Sequence, residues 1–291
     1  MNQVYDIAII GGGPAGLSAA VTARIRNKST ILFEHGGHSE KLRKAPEVDN
    51  YLGIPNVTGV QLMEQFVKHC MRLNPTIVKE KVTSIYPDEM NTIVTSANTY
   101  QARSVIIATG VISTALLRGE KNLLGKGISY CATCDGMFFK NKPVAVVSYT
   151  KEGEKEANFL AEICQKVYYL PQYKDAPEGL HPDIEVIKEK PLAVEGDDVV
   201  QGLLIKDREL AVKGIFMLRQ SDPVENLLAG LELDGEVIKV NRCMATNIPG
   251  IFAAGDCTGR PWQIAKAVGE GLTAAIHAVQ YIDNKSVACY R

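Results

Sequence analysis

Cysteines 131 and 134, in the run Cys131-Ala132-Thr133-Cys134-Asp135, are the residues with the plainest chemistry in this chain. Two thiols at this spacing close a disulfide and reopen it as a reactive dithiol, and an acid directly after the second is a ready proton source for the departing thiolate. Half of a zinc site and a static bridge are the other chemistries that a C-x-x-C allows. Zinc wants a second closely spaced pair, and Cys70, Cys164, Cys243, Cys257 and Cys289 offer none. His35, His38, His69, His181 and His277 show neither ligand spacing nor a triad pattern, so no metal site is expected.

Such a pair has to be held and supplied with electrons, and the flanking sequence reads as the means. Residues 4 to 10, Val-Tyr-Asp-Ile-Ala-Ile-Ile, form a β-branched run suited to a buried parallel strand, and they feed into Gly11-Gly12-Gly13-Pro14-Ala15-Gly16. A helix is expected from Leu17 to Arg24 and a second strand from Thr30 to Phe33, ending at Glu34, 18 residues past the last glycine. Glycines for a tight turn, a helix N-terminus for a pyrophosphate and an acid for ribose hydroxyls make one dinucleotide-binding unit. Beyond it come a turn-rich stretch at 45 to 54 and a helix over 59 to 72, with Val60, Met63, Phe66, Val67 and Cys70 as its core stripe. Strands at 77 to 85, 92 to 95 and 104 to 109 close on Gly110.

A connector from Val111 to Tyr130 delivers the cysteines. A second α/β unit then starts with a strand at 143 to 149, a helix at 153 to 166 and a strand at 167 to 170; residues 183 to 240 read as short strands and turns of an antiparallel appendage. The strand and turn Ile248-Pro-Gly-Ile-Phe-Ala-Ala-Gly-Asp256, with a helix over 263 to 284, return to the style of the first domain. The expected architecture is α/β, with two Rossmann-like, three-layer, parallel-sheet domains. Residues 1–112 and 243–291 form one discontinuous domain, and 113–242 form an inserted, disulfide-bearing one.

Length and charge bound the function. A chain of 291 residues supports two cores. Its 32 basic and 33 acidic residues, and the lack of any apolar run of about 18, point to neither nucleic acid nor membrane. An odd cysteine count with no cationic leader is read as cytoplasmic.

Gly11-Gly-Gly-Pro-Ala-Gly16, Glu47-Val-Asp-Asn-Tyr-Leu-Gly53, Cys131-Ala-Thr-Cys-Asp135 and Ala253-Ala-Gly-Asp256 together resemble the low-molecular-weight thioredoxin reductases, over essentially the whole chain. The resemblance implies a homodimer with FAD held by both ends of the chain and thioredoxin as partner. Gly11, Gly13, Pro14, Ala15, Gly16 and Glu34 would bind its adenosine half, Asn50 would lie near the isoalloxazine, and Gly110, Gly255, Asp256 and Gln263 would complete the site. By the same resemblance Cys134 faces the flavin, Cys131 attacks the thioredoxin disulfide and Asp135 is the acid and base.

The departures narrow the reading. Where the family carries a second glycine motif for NADPH, this chain has Val147-Ser148-Tyr149-Thr150-Lys151-Glu152-Gly153-Glu154, with Ser148 and Thr150 at the first two glycine positions. Side chains there obstruct close approach to a pyrophosphate, and Glu152, Glu154 and Glu156 repel it. The family's His-Arg-Arg for a 2′-phosphate is replaced by Pro171-Gln172-Tyr173. The pattern resembles the ferredoxin-dependent flavin thioredoxin reductases, which implies reduced ferredoxin, or flavodoxin, as donor. About −400 mV for a plant-type ferredoxin against about −270 mV for thioredoxin leaves about 6 kcal/mol for two electrons. An NADPH enzyme in which Lys151 or Lys174 compensates, an FAD-dependent dithiol oxidase and a non-enzymatic redox sensor are the competing readings. Lys41-Leu-Arg-Lys44 is a ferredoxin-docking candidate or plain solvated surface; Trp262 is a flavin, partner or packing residue. The tail Ala288-Cys289-Tyr290-Arg291 reads as a frayed end or a flavin cover.

Overall fold

The structure, a computed structural model, describes residues 3–35, 37–110, 116–206, 208–219 and 223–283. The tail at 288–291 and the start of the connector at 111–115 lie outside the described residues, as does the Lys41 side chain.

The chain forms two compact units, residues 1–111 with 223–291, and residues 112–222. In the first, β1 (Val4–Ile10) is flanked in parallel by β2 (Thr30–Phe33) and β6 (Thr99–Ile107). Outside these lie β3 (Thr76–Val78), parallel to β2, and the antiparallel pair β4 (Val82–Tyr86) and β5 (Asn91–Thr95), while strand Ile251–Ala253 runs parallel to β6. The order is β3-β2-β1-β6-β5-β4. Ile7 and Ile9 point to one face and Ala8 to the other, all fully buried, which is why β1 is unbroken apolar from Ile7 to Ile10. Full burial of each isoleucine contributes about 1.5–3 kcal/mol.

Helix Pro14–Ile25 follows the glycine turn and packs on the C-terminal helix Ile264–Ile282. Small residues make that contact close. A Cβ on Gly271 would lie 2.1 Å from the Ala15 carbonyl oxygen, and the Ser18 hydroxyl donates to the Val268 carbonyl at 2.7 Å. Helix Gly59–Met71 starts with a reciprocal cap between Thr58 and Gln61 and buries Leu62 along with Met63 and Cys70.

The second unit is built on a five-stranded, all-parallel sheet, β10-β9-β8-β14-β7, from β7 (Ile128–Ser129), β8 (Pro143–Ser148), β9 (Lys166–Pro171), β10 (Ile184–Val186) and β14 (Gly214–Leu218). The antiparallel appendage is smaller than expected. It is the three-stranded β11 (Pro191–Glu195), β12 (Gly202–Ile205) and β13 (Arg208–Ala211), because β10 and the fully buried β14 join the parallel sheet instead. The expected boundary at 242 also moves. Residues 223–242 belong to the first unit, where Leu227, Leu228 and Ile238 are buried with Ile85, Val105 and Ile251. No helix among the described residues is long and apolar enough to cross a membrane.

Candidate active site

In the first unit the glycine turn is forced by contact. Gly11 has φ +117°, and a Cβ there would lie 2.3 Å from the Ala108 carbonyl oxygen; one on Gly16 would lie 1.8 Å from the Gly11 carbonyl oxygen. Gly13 stands at the N-cap of helix Pro14–Ile25, whose first turn carries neither a side-chain cap nor an acid. The polar N-terminus is thereby left for an anion. Glu34 is 5 % exposed, its Oε1 has no hydrogen-bond partner, and its Cγ lies 2.7 Å from where a Cβ on Gly12 would stand. A buried carboxylate oxygen short of donors, beside a phosphate-type turn, fits the hydroxyls of a ribose.

The remaining predicted residues arrive from the far end of the chain. Gly255, φ +90°, sits against Ala15 and leads into Asp256, and the turn is clamped from below by a pair that the sequence reading missed. Lys266 Nζ donates to the carbonyls of Gly255 and Gly259 at 2.7 Å each and pairs with Glu270 at 3.1 Å, while Glu270 accepts from the Gly255 N–H at 2.9 Å. Their i, i+4 spacing on a helix was the available signal. Asn50 Nδ2 donates to Gln263 Oε1 at 3.0 Å, joining residues 213 apart in sequence. Both line a cavity of about 500 Å³ with Trp262, over whose ring the Arg260 guanidinium sits at 4.6 Å. Gly110 has φ +74° with open space where a Cβ would stand.

In the second unit Cys131 and Cys134 form a disulfide. Cys131 caps the short helix Ala132–Asp135, its sulfur accepting from the Cys134 N–H at 3.2 Å and lying 3.4 Å from Thr133 Oγ1. Asp135 follows directly. The described free thiols are poor competitors. Burial pushes Cys70 and Cys164 up to about 11 and Cys257 up to about 12, so at neutral pH they are almost wholly un-ionised.

The turn that could have held a second nucleotide is filled from within. Ser148 is fully buried; its hydroxyl donates to the Thr150 carbonyl at 2.6 Å and accepts from the Thr150 N–H at 3.4 Å. A Cβ on Gly153 would lie 2.0 Å from Ser148 Oγ. Gly153 therefore makes the same close strand-to-helix contact as Gly16, with a side chain where a phosphate needs room. Tyr173 donates to Glu154 at 2.6 Å and its hydroxyl lies 3.0 Å from that of Tyr169. Burial, followed by the Glu154 hydrogen bond, drives the Tyr173 phenol far up, so it stays a donor.

The pyridine nucleotide-disulphide oxidoreductase family matches residues 5–271. Thioredoxin reductase of Helicobacter pylori is 35 % identical, with 97 % of this chain and 100 % of the relative covered; that of Aquifex aeolicus is 32 % identical, with 98 % and 95 % covered. The chain belongs to the thioredoxin reductases of this family. A solved ferredoxin-flavin thioredoxin reductase from Clostridium acetobutylicum is 47 % identical over 98 % of this chain and 100 % of its own, with TM-score 0.92.

Thioredoxin reductases of this family are flavoproteins that bind FAD, and the glycine turn and the unpartnered Glu34 oxygen suit its adenosine half. Glu34→Ala is expected to weaken FAD binding about 10- to 100-fold, the equivalent of about one charge-assisted hydrogen bond. Since Glu34 Oε1 has no partner in the protein, the apoprotein should melt no lower than wild type. Flavin fluorescence titration and apoprotein melting together check this.

Proposed function

We propose that this chain reduces the disulfide of thioredoxin with electrons from ferredoxin rather than from NADPH. The observation that carries the choice of donor is the closed turn at 148–153, where the Ser148 hydroxyl takes the Thr150 N–H that a pyrophosphate would need and is itself held by the Thr150 carbonyl. Glu154 and Glu156 in the first turn of the following helix oppose an anion further. No arginine stands after β9, where Gln172 and Tyr173 follow Pro171. The name of the Clostridium acetobutylicum relative supports the same donor.

In the proposed reaction two reduced ferredoxins, one thioredoxin disulfide and two protons give two oxidised ferredoxins and one thioredoxin dithiol. FAD supplies the exchange between single electrons and electron pairs. Gly11, Gly13, Pro14, Ala15, Gly16 and Glu34 would hold its adenosine half, Asn50 would lie near the isoalloxazine and Asp256 would hold the ribityl chain, with Gly110, Gly255 and Gln263 completing the site. Cys131 and Cys134 take up two electrons and two protons, and Asp135 carries a proton to and from the leaving sulfur. By family resemblance Cys131 attacks thioredoxin and Cys134 resolves the mixed disulfide; the Cys134 N–H, which donates to the Cys131 sulfur, suits a thiolate there.

The test is anaerobic reduction of the yellow holoprotein, followed by flavin absorbance. Reduced ferredoxin is expected to bleach it and, with thioredoxin present, to yield thioredoxin thiols; NADPH at millimolar concentration is expected to leave it yellow. Rapid bleaching by NADPH would overturn the donor assignment.

A further inference from the structure

The redox turn is fastened at both ends to helix Gly153–Ile163. At the far end, a Cβ on Gly136 would lie 3.0–3.2 Å from Phe159, Leu160 and Ile163. At the near end, the carboxylate of Glu156 accepts a hydrogen bond from the Ala132 N–H at 2.9 Å, with Ala132 itself fully buried. Ala132 N belongs to the peptide that joins it to Cys131. A half-buried negative charge is thus held one peptide from the sulfur assigned to attack thioredoxin.

We propose that Glu156 is a positioning residue that also sets the potential of the Cys131–Cys134 pair, keeping it strongly reducing. The disulfide is neutral and feels little of the carboxylate, whereas the dithiol, once ionised at Cys131, carries a like charge beside it. The repulsion therefore falls on the reduced form alone, raises the Cys131 thiol pKa and drives the electron pair outward. Oxidoreductases with strongly depressed thiol pKa values behave in the opposite sense, their reduced form being stabilised and their disulfide oxidising. The usefulness of this bias rests on the thioredoxin-reducing direction proposed above. In this reading, the acid that a nucleotide phosphate would not tolerate at that helix start serves the cysteines.

The reaction that tests it needs neither ferredoxin nor thioredoxin. Holoenzyme disulfide plus dithiothreitol gives holoenzyme dithiol plus oxidised dithiothreitol, with two electrons and two protons passing from one pair to the other. After acid quench, alkylation and weighing of the Cys131–Cys134 peptide give the equilibrium constant. Glu156→Gln keeps an oxygen acceptor for Ala132 N–H and removes the charge.

Its constant is expected to equal that of wild type at the acid end of a pH series, below the thiol pKa values, and to exceed it about tenfold above them, a potential about 30 mV less negative. The other charges on the redox helix, on helix Gly153–Ile163, on the segment after residue 136 and on the strands β9 and β10 that pack against that helix are Asp135, Glu154, Lys155, Glu162, Lys140, Lys142, Lys166 and Glu185. All are common to both proteins and leave the difference to Glu156. Glu156→Ala should show the same rise, and Glu162→Gln, exposed on the same helix, should show none. A ratio within twofold of one at every pH, or a ratio that does not change with pH, would overturn the proposal, the latter leaving Glu156 a purely structural clasp.

Discussion

Cys131→Ser is expected to lower thioredoxin reduction by on the order of 10⁴-fold or more while the protein stays yellow. Replacing the attacking atom removes the covalent route itself, and losses of that order follow when a nucleophile is deleted. The residues assigned to FAD lie in the first unit, in 11–50, at 110 and in 255–263, and none is within the disulfide-bearing segment. A colourless Cys131→Ser protein would therefore contradict the assignment. Cys134→Ser separates the two sulfurs. With Cys131 free to attack and no partner to resolve, incubation with oxidised thioredoxin should accumulate a mixed disulfide through Cys131, visible as a mass adduct. Accumulation instead in Cys131→Ser, through Cys134, would exchange the two roles.

The largest effect on stability is expected at a buried ion pair outside the redox motif. Glu120 is fully buried and Arg219 is 3 % exposed; the guanidinium donates in a fork to both carboxylate oxygens at 2.6 and 2.8 Å. The Tyr130 hydroxyl and the Leu117 N–H donate to the same carboxylate at 2.9 and 2.8 Å, and the Arg219 guanidinium lies 5.2 Å from the Tyr149 ring and 6.0 Å from that of Tyr130. Arg219→Met strands a buried carboxylate and should destabilise the second unit by about 3–5 kcal/mol. For a unit of this size that lowers its melting transition by on the order of 10 °C or more. The double change Glu120→Leu with Arg219→Met removes both charges and should recover much of the loss, since a buried pair contributes far less than its rupture costs. Scanning calorimetry of the three proteins checks this; a single variant melting within 2 °C or so of wild type would refute it.

Sequence legibility followed distance along the chain. The turn at 11–16, its strand, its helix and Glu34 were readable because one continuous segment carries the periodicity, the glycines and the acid. The C-x-x-C was readable for the same reason. Glu120 and Arg219 are 99 residues apart and neither belongs to a motif. Asn50 and Gln263 entered through likeness to a family, whereas their hydrogen bond depends on how the turn at 45–54 meets the C-terminal helix start. The stretch 223–242 joins the first unit rather than the expected inserted one, because short apolar runs show that they will be buried but not against which sheet. Strand β14 lies in the parallel sheet and not in the appendage, as the unbroken apolar character of its run Gly-Ile-Phe-Met-Leu allows. In sequence Glu156 is only a repulsive charge at a helix start; its bond to Ala132, 24 residues away, arises from the packing of two helices.

The raised pKa values of the buried Cys70 and Cys257 thiols and of the partly buried Cys164 have a practical consequence. At pH 7.5, a thiol with a pKa of about 11 is ionised to only about one part in three thousand. A brief pulse of iodoacetamide on the folded protein should therefore pass these three by and mark the C-x-x-C only while it is open. The molecule carries its own gauge: label bound at Cys131 and Cys134, counted by mass, reads directly how much of the enzyme in a cell extract was charged with electrons at the moment of quenching.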